Sequence, residues 1–471
     1  MAGYLRLVGI VFRSLPLIIQ FRFGGPLLDS RARQKRAEAV RKLLVALGPT
    51  FIKIGQALAN RPDLVPYEYL KEFEKLLDSV PPFSSLRARF MVWRSLRGKG
   101  IRFDEVFKDF PKRPIASASL GQVYDCVLQN GDRVAVKVQR PGMRRLIERD
   151  IAALMIVAGF AERRKEIGLG LNWTDTVREF SGMISEELDF ERERANGELF
   201  AENFKKWKEI RVPRFYPEYS TTTVLVMEFI DGKKLTDVAA IRAAGQDPLL
   251  AMEIVIRSYL KQLIEDGFYH ADPHPGNLRY QADGRVAFFD FGMAGKLEPE
   301  KRSLFLDLLI HVAEKNVESI VRDLAELGFL RSGHEFSEFR PAVEAVFHRY
   351  LDSTDRSSIR FHEIVYALSE VVYRYPFTIP THFTYILRAL LTLEGLGMSI
   401  TPAFSFFRFA KPYAAEMFFL TEAKFMARKI FDVIFKAPDS RYSWERMKKF
   451  SRMVLNYITD KSILDLDDKS D

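Results

Sequence analysis

The chain is 471 residues long, which at about 150 residues per domain predicts roughly three structural units. Hydrophobic residues make up 47% and charged residues 28%, a balance that excludes a largely disordered, collagenous or coiled-coil chain. The single cysteine, Cys126, excludes an intrachain disulfide and any multi-cysteine metal site, and it points to a reducing compartment. The net charge of +9 asks for something anionic: phosphate groups, lipid headgroups or nucleic acid. The basic residues sit in short clusters, such as Arg31 to Arg36, Arg140 to Arg145, Arg163 to Lys165 and Lys205 to Lys208. Each cluster alone reads as a solvated helix face.

In chain order, residues 1–30 come first as an amphipathic segment. Residues 1–23 are apolar but interrupted by Arg6, Arg13 and Arg22. No uncharged apolar run reaches the about 18 residues that suggest a spanning helix. The arginines and the lack of a clear cleavage site argue against a signal peptide. A segment lying on a membrane surface fits, and so does an ordinary buried helix. Residues 31–110 read as a helical extension. One helix ends at Gly48-Pro49, a second runs over 51–60 with Thr50 as its cap, and Arg61-Pro62-Asp63 breaks it. Pro81-Pro82 and residues 112–114 read as linkers. Residues 111–232 read as a small β-rich lobe. Strands over 123–128 and 134–138 flank the hairpin signal Gln129-Asn130-Gly131-Asp132. Helical stretches follow over 144–201, then a strand over 221–230. Residues 233–330 read as a larger helical lobe, with a loop-and-strand segment over 269–295. Residues 331–471 read as helical. The predicted fold is α+β and bilobal, with a helical extension and tail.

The chemistry concentrates in two short segments. Asp272 and Asn277 stand in His270-Ala271-Asp272-Pro273-His274-Pro275-Gly276-Asn277, and Asp290 in Asp290-Phe291-Gly292. Asp-x4-Asn followed by Asp-Phe-Gly is the order of a kinase catalytic loop and its metal-binding aspartate. Phosphoryl transfer is catalysed mainly by positioning and charge neutralisation, and magnesium wants hard oxygen ligands. Lys137, in Val134-Ala135-Val136-Lys137, is placed to reach nucleotide phosphates if a helix carboxylate holds it; the acidic stretch Glu186 to Glu193 offers candidates. The phosphate-covering loop is unusual. It reads Ala116-Ser117-Ala118-Ser119-Leu120-Gly121-Gln122-Val123, with one glycine, so it is less free to fold closely over a γ-phosphate. No arginine precedes Asp272 and no Ala-Pro-Glu follows Asp290, which argues against a conventional activation segment.

Together these residues resemble the UbiB/AarF atypical kinase family, which includes coenzyme Q biosynthesis kinases of mitochondria and chloroplasts. Lys53-Ile54-Gly55-Gln56 is similar to its Lys-x-Gly-Gln signature, residues 116–123 to its alanine-rich loop, and Glu187-Leu188-Asp189 to its Glu-x-Asp motif. The resemblance covers residues 40–300 and implies a protein-kinase-like fold. It implies that Lys137 contacts nucleotide phosphates and pairs with Glu193, that Asp272 is the catalytic aspartate, and that Asn277 and Asp290 bind Mg2+. Ala116, Ser117, Ala118, Ser119, Gly121 and Val123 would line the phosphates, and the backbone of Glu228 and Ile230 would hold the adenine of ATP or ADP. Lys53, Gly55, Gln56, Glu187 and Asp189 would form a gate over the site, with Lys53 meeting Glu187. The chain departs in two places. Its loop has serines where the family has consecutive alanines, and a C-terminal anchor over 404–420 is interrupted by Arg408, Lys411 and Glu416.

The expected function is a magnesium-dependent atypical kinase or ATPase supporting ubiquinone or other isoprenoid-lipid biosynthesis at a membrane. The alternatives are a protein kinase acting in trans and a non-enzymatic, nucleotide-gated lipid-binding scaffold. The expected partners are nucleotide, an anionic membrane surface or a quinone-like lipid, and lipid-biosynthesis enzymes; nucleic acid is not expected. The expected location is cytoplasmic, peripherally on the inner face of the membrane.

Overall fold

The computed structural model describes residues 6–14 and 30–413, apart from 60, 62–63, 77–80, 164–171, 314–315, 330–339, 342, 345–378, 407–408 and 411. The helical reading of residues 331–471 therefore lies mostly outside the described residues, as do Arg22 and the stretch 415–420.

The N-terminal part is helical: α1 (6–14), α2 (Ser30–Leu47), α3 (Pro49–Leu58) and α4 (Tyr67–Phe73). The predicted cap residue Thr50 falls inside α3, because Gly48 takes a positive φ of 108° and Pro49 opens the helix with a φ already suited to it. In α1 both described arginines bond to the rest of the protein, Arg6 part-buried and Arg13 exposed. Arg6 pairs with Asp150 and donates to the Leu47 carbonyl at 2.7 Å, and Arg13 donates to the Ala46 carbonyl at 2.8 Å. These contacts fasten the described part of the segment to the end of α2 and to Asp150.

The small lobe is built on a five-stranded antiparallel sheet: β1 (Phe107–Asp109), β2 (Ala116–Ser117), β3 (Gly121–Leu128), β4 (Arg133–Gln139) and, after three helices, β6 (Val224–Glu228). The order is β1-β3-β4-β6, with β2 also on β3. The hairpin signal over 129–132 joins β3 to β4. β1 comes from a stretch expected to belong to the helical extension. It is three residues long, too short for period-2 alternation to show, and α5 (Ser85–Gly98) and α6 (Phe103–Val106) precede it.

Alternation along β4 sorts its side chains onto two faces. Val134, Val136 and Val138 pack with Tyr124, Cys126, Leu128 and with Ala88, Val92 and Leu96 of α5. Lys137 points the other way, opposite Val123 and Leu225 in register. Burial in this apolar layer pushes the Cys126 thiol well above its ordinary range, so the lone cysteine is inert packing.

Helices α7 (Met143–Arg163), α8 (Trp173–Glu187) and α9 (Phe190–Asn203) follow β4. α9 packs on β6 and on the large lobe. That lobe is centred on α11 (Pro248–Lys261), which α10 (Val238–Ala243) precedes, and on α14 (Thr381–Ile400), both in one apolar core with Phe200, Tyr259, Phe288 and Phe291. A three-stranded sheet joins the lobes. β5 (Ile210–Arg211) pairs in parallel with β9 (Val286–Phe288), which pairs with β8 (Leu278–Tyr280). β7 (Phe268–His270) and β10 (Ala294–Lys296) make a second small ladder, and α12 (Pro299–Ala313) and α13 (Val317–Glu326) follow. The architecture is α+β, bilobal and kinase-like.

α14 is the one helix among the described residues long and apolar enough to cross a membrane, with its window over His382–Ile400. Half of that window is buried inside the protein, where Phe383, Ile386, Ala389, Leu393 and Leu396 line the core.

Gly197 fixes how closely α9 approaches the large lobe. A Cβ there would lie 2.3 Å from the Phe215 ring and 2.9 Å from the Phe291 ring. Gly197→Ala is expected to destabilise by about 1–3 kcal/mol through overpacking, offset in part by about 1 kcal/mol of helix propensity. A thermal midpoint that does not fall would show that the two rings can yield.

Candidate active site between the lobes

The centre of the cleft is one ammonium shared by two carboxylates. Lys137 Nζ lies 2.9 and 2.8 Å from the two oxygens of Glu193 and 3.2 Å from Asp290 Oδ2. Glu193 comes from α9, whose N-terminus is capped by Asp189, accepting from the amides of Glu191 at 3.1 Å and Arg192 at 3.4 Å. Asp189 therefore fixes the start of the helix that carries Glu193, and this is the contact the structure gives it. Asp290 sits at φ 75°, the one non-glycine residue in the left-handed region among the described residues. That conformation costs of order 1–3 kcal/mol and is held by Phe291, which is buried against Phe200, Phe215 and His270.

The charge balance of this cluster is uneven. Burial alone would lower the Lys137 ammonium, but Asp290 and Glu193 more than offset it and hold it above the ordinary lysine range. Burial pushes Glu193 up to about 7 against the pull of Lys137, with Asp290 and Glu187 adding to the rise. Burial also opposes ionisation of Asp290, yet Lys137 and then His270 draw its carboxyl below the usual range. Two carboxylates share one ammonium, and the more buried of them, Glu193, has its proton affinity raised while the part-exposed Asp290 has its lowered.

Asn277 and Asp290 leave the same end of the β8–β9 ladder, where the Phe289 amide donates to the Asn277 carbonyl at 3.2 Å. The side chain of Asn277 donates to the Asp272 carbonyl at 3.0 Å. Among the described residues no group of three His, Cys, Asp or Glu residues converges to hold a metal. Magnesium does not need one: it takes one or two protein oxygens and completes its shell with water and phosphate. An amide oxygen and a carboxylate are a donor set that fits it.

Asp272 has a partner that the sequence did not announce. Arg388, from α14, donates to Asp272 Oδ2 at 2.9 Å. It is the one arginine or lysine in a mostly apolar helix of 20 residues, which also holds the buried Glu394. A lone cation in a buried helix needs a carboxylate, and that was the available signal. His270, which precedes Asp272, is oriented through its backbone by the buried Gln262 at 2.8 Å.

The loop over 116–121 is pinned. The Ala118 amide donates to the Gly121 carbonyl at 2.8 Å, and Ser119 is fully buried. Arg140 donates to the Ala118 carbonyl at 2.9 Å, to Ser117 Oγ at 3.0 Å and to the Pro81 carbonyl at 2.8 Å. Its cluster reads as solvated in the sequence, yet here it fastens the loop. A Cβ at Gly121 would lie 2.7 Å from the Val138 carbonyl oxygen, so the glycine is needed for close approach of the strands.

α3 lies against this site. Lys53 pairs with Glu187, the last residue of α8, both largely buried. Ile54 shares an apolar cluster with Leu120 of the loop and Ile184 of α8. A Cβ at Gly292 would lie 3.7 Å from Glu193 Oε2 and 3.8 Å from Glu187 Cγ, so the two ion pairs are neighbours. Gly55 and Gln56 work elsewhere. A Cβ at Gly55 would meet Leu76 and Leu44 at 2.3 and 2.8 Å, and Gln56 donates to the Leu76 carbonyl at 3.0 Å. Lys53 and Gln56 share a helix face but end on different partners.

At the expected adenine site, the Glu228 amide is taken by the Arg214 carbonyl at 2.7 Å, and its side chain pairs with Arg211. Only the Glu228 carbonyl, with the backbone of Ile230, is left for a base. Val123 lies beside Lys137 in register, on the same face of the sheet.

The bilobal fold and this set of side chains define a kinase-like protein. The sequence profile of the ABC1 atypical kinase-like domain matches residues 75–324, and the chain belongs to that family, also called UbiB/AarF. An uncharacterized protein of Synechocystis sp. is 40% identical over 416 residues, covering 88% of this chain and 72% of the relative. ACTIVITY OF BC1 COMPLEX KINASE 7, chloroplastic, of Arabidopsis thaliana is 34% identical over 90% of this chain and 61% of its own length. ACTIVITY OF BC1 COMPLEX KINASE 1, chloroplastic, of the same plant is 36% identical over 88% and 60%. The chain thus spans less than two thirds of these plant relatives.

The raised carboxyl of Glu193 gives a pH prediction. Its folded value of about 7 lies above the ordinary 4.5, so the folded state binds the extra proton between those values. Stability from this group is complete below 4.5 and is lost as pH rises to 7. Wild type is expected to lose up to about 3 kcal/mol relative to Glu193→Gln over that window, read from denaturant midpoints. Parallel pH curves for the two proteins would refute it.

Proposed function

We propose that the chain binds ATP or ADP with Mg2+ in the cleft and acts as an atypical kinase or ATPase. The observation that carries this is the ammonium of Lys137 held between Glu193 and Asp290, with Asn277 at the same hairpin end. In this reading Lys137 holds the phosphates and Glu193 keeps it aimed. Asn277 and Asp290 hold the metal, which when bound neutralises phosphate charge. The Ala116–Gly121 loop, fastened by Arg140, covers the phosphates from one side, and the Lys53–Glu187 pair on α3 and α8 closes the other. Asp272 orients the attacking oxygen when Arg388 releases its carboxylate.

Ubiquinone or another isoprenoid lipid is proposed as the pathway served, on the strength of the family and of relatives named as kinases in chloroplasts. A second reading, nucleotide-gated binding without phosphotransfer, is favoured by Arg388 on Asp272: that carboxylate is engaged where a catalytic base must be available.

Two variants test the reading. Asp290→Asn is expected to abolish the thermal shift that ATP gives in the presence of magnesium, and an unchanged shift would remove Asp290 from the metal site. Lys53→Ala, at matched stability, is expected to change nucleotide turnover more than Lys42→Ala, whose pair with Glu38 is exposed. Equal turnover in both variants and wild type would sink the gate and restore the protein-kinase alternative.

A further inference from the structure

The outer face of α5 has no counterpart in the site described above. Its inner face, Ala88, Val92 and Leu96, is buried on the sheet. Its outer face carries Leu86, Phe90 and Trp93, which are 81%, 57% and 38% exposed. These stand at i, i+4 and i+7, so they form one stripe along the helix. Phe90 and Trp93 stack at 5.5 Å. The stripe borders a shallow groove of about 520 Å3 whose lining includes Arg89, Arg97 and Arg102.

The charge around this stripe has one sign. Residues 83–103 contain Arg87, Arg89, Arg94, Arg97, Lys99 and Arg102 and no aspartate or glutamate. Arg97 lies over the Trp93 ring at 5.1 Å, and Arg89 over the Phe103 ring at 4.8 Å. These guanidinium groups therefore lie against ring faces, as cation–π partners within the same surface. The acidic neighbours begin with Asp104 and Glu105, at the groove's far edge, where Arg102 stands 3.7 Å from Glu105.

We infer that this face of α5 docks the protein on an anionic lipid surface. A solvated helix has no use for an exposed phenylalanine stacked on a tryptophan. Aromatic side chains flanked by arginines suit the boundary between headgroups and acyl chains, where the rings lie in the apolar layer and the cations meet phosphate. Arg87, Arg89, Arg94, Arg97 and Lys99, with no carboxylate among residues 83–103, complement a negative surface, whereas a protein partner commonly meets charges of both signs. Position supports the inference. Val134, Val136 and Val138 pack beneath α5, and Lys137 points to the opposite face of the same strand. Docking on α5 therefore leaves the cleft open to nucleotide. The inference stands independently of what the cleft does.

The test is co-sedimentation of the full chain with phosphatidylcholine vesicles, with and without phosphatidylglycerol. Wild type is expected to bind only the anionic vesicles and to release with added salt, because the charges are screened over about 8 Å at physiological ionic strength. Phe90→Ser with Trp93→Ser, and separately Arg87→Ser with Arg94→Ser, are each expected to weaken binding by roughly tenfold or more. All four residues are exposed, so thermal midpoints and any nucleotide-induced shift should match wild type. Phe12→Ser, on the exposed face of α1, serves as the control and should bind normally. Unchanged vesicle binding by both double variants, equal binding to neutral vesicles, or loss only in Phe12→Ser would overturn the inference. So would wild type that ignores vesicles but self-associates through Trp93.

Discussion

The structure turns on the ammonium of Lys137, caught between Glu193 and Asp290. Three elements from distant parts of the chain must meet for this contact: β4, the start of α9, and the turn after β9. Each is held by its own packing. β4 is zipped between β3 and β6, α9 is capped by Asp189 and pressed on Phe291 at Gly197, and the Asp290 turn is fixed by that same phenylalanine. Removing one carboxylate would leave the other to pair with the lysine. Removing the lysine would leave the buried Glu193 and the part-exposed Asp290 with no cation between them, which is the costlier loss.

The same contact explains why the cleft favours an added cation. Burial pushes Glu193 up to about 7, and the Asp290 carboxylate beside it adds to the rise. A divalent ion at Asn277 and Asp290 would oppose that rise. Around this centre sit two further ion pairs, Lys53 with Glu187 and Arg388 with Asp272. One joins α3 of the helical extension, and the other α14 of the large-lobe core, to carboxylates of the site. The helical extension and α14 are thereby tied to the chemistry by charge as well as by apolar packing.

Much of this was legible in the sequence, and what was not has a physical reason. The β3–β4 hairpin was readable because Asn-Gly needs positive φ and the flanking strands alternate. Asp272, Asn277 and Asp290 stood out because motif spacing encodes loop geometry, whereas the pairing of Lys137 with Glu193 came from the family resemblance. Arg388 was not, since its partner lies 116 positions away and no local period links them. Arg140 looked like one more solvated charge, because hydrogen bonds to backbone carbonyls leave no mark in composition. β1 was too short to alternate. Gln56 and Asp189 were grouped with the gate by their motifs, yet they serve the backbone, one at Leu76 and one at the start of α9. The α5 stripe was present in the sequence, but only the structure shows which face of that helix the sheet covers.

The central claim is that Glu193, buried against Lys137 with its carboxyl pushed up by that burial and by Asp290 beside it, marks a site suited to an added cation. Calorimetric titration of preformed magnesium–ATP into wild type and Glu193→Gln at pH 7, repeated in buffers of different ionisation enthalpy, tests it directly. The cation should lower the proton affinity of Glu193, so preformed magnesium–ATP should release more protons on binding wild type than on binding Glu193→Gln. Equal proton release by the two proteins, with binding intact, would contradict the account.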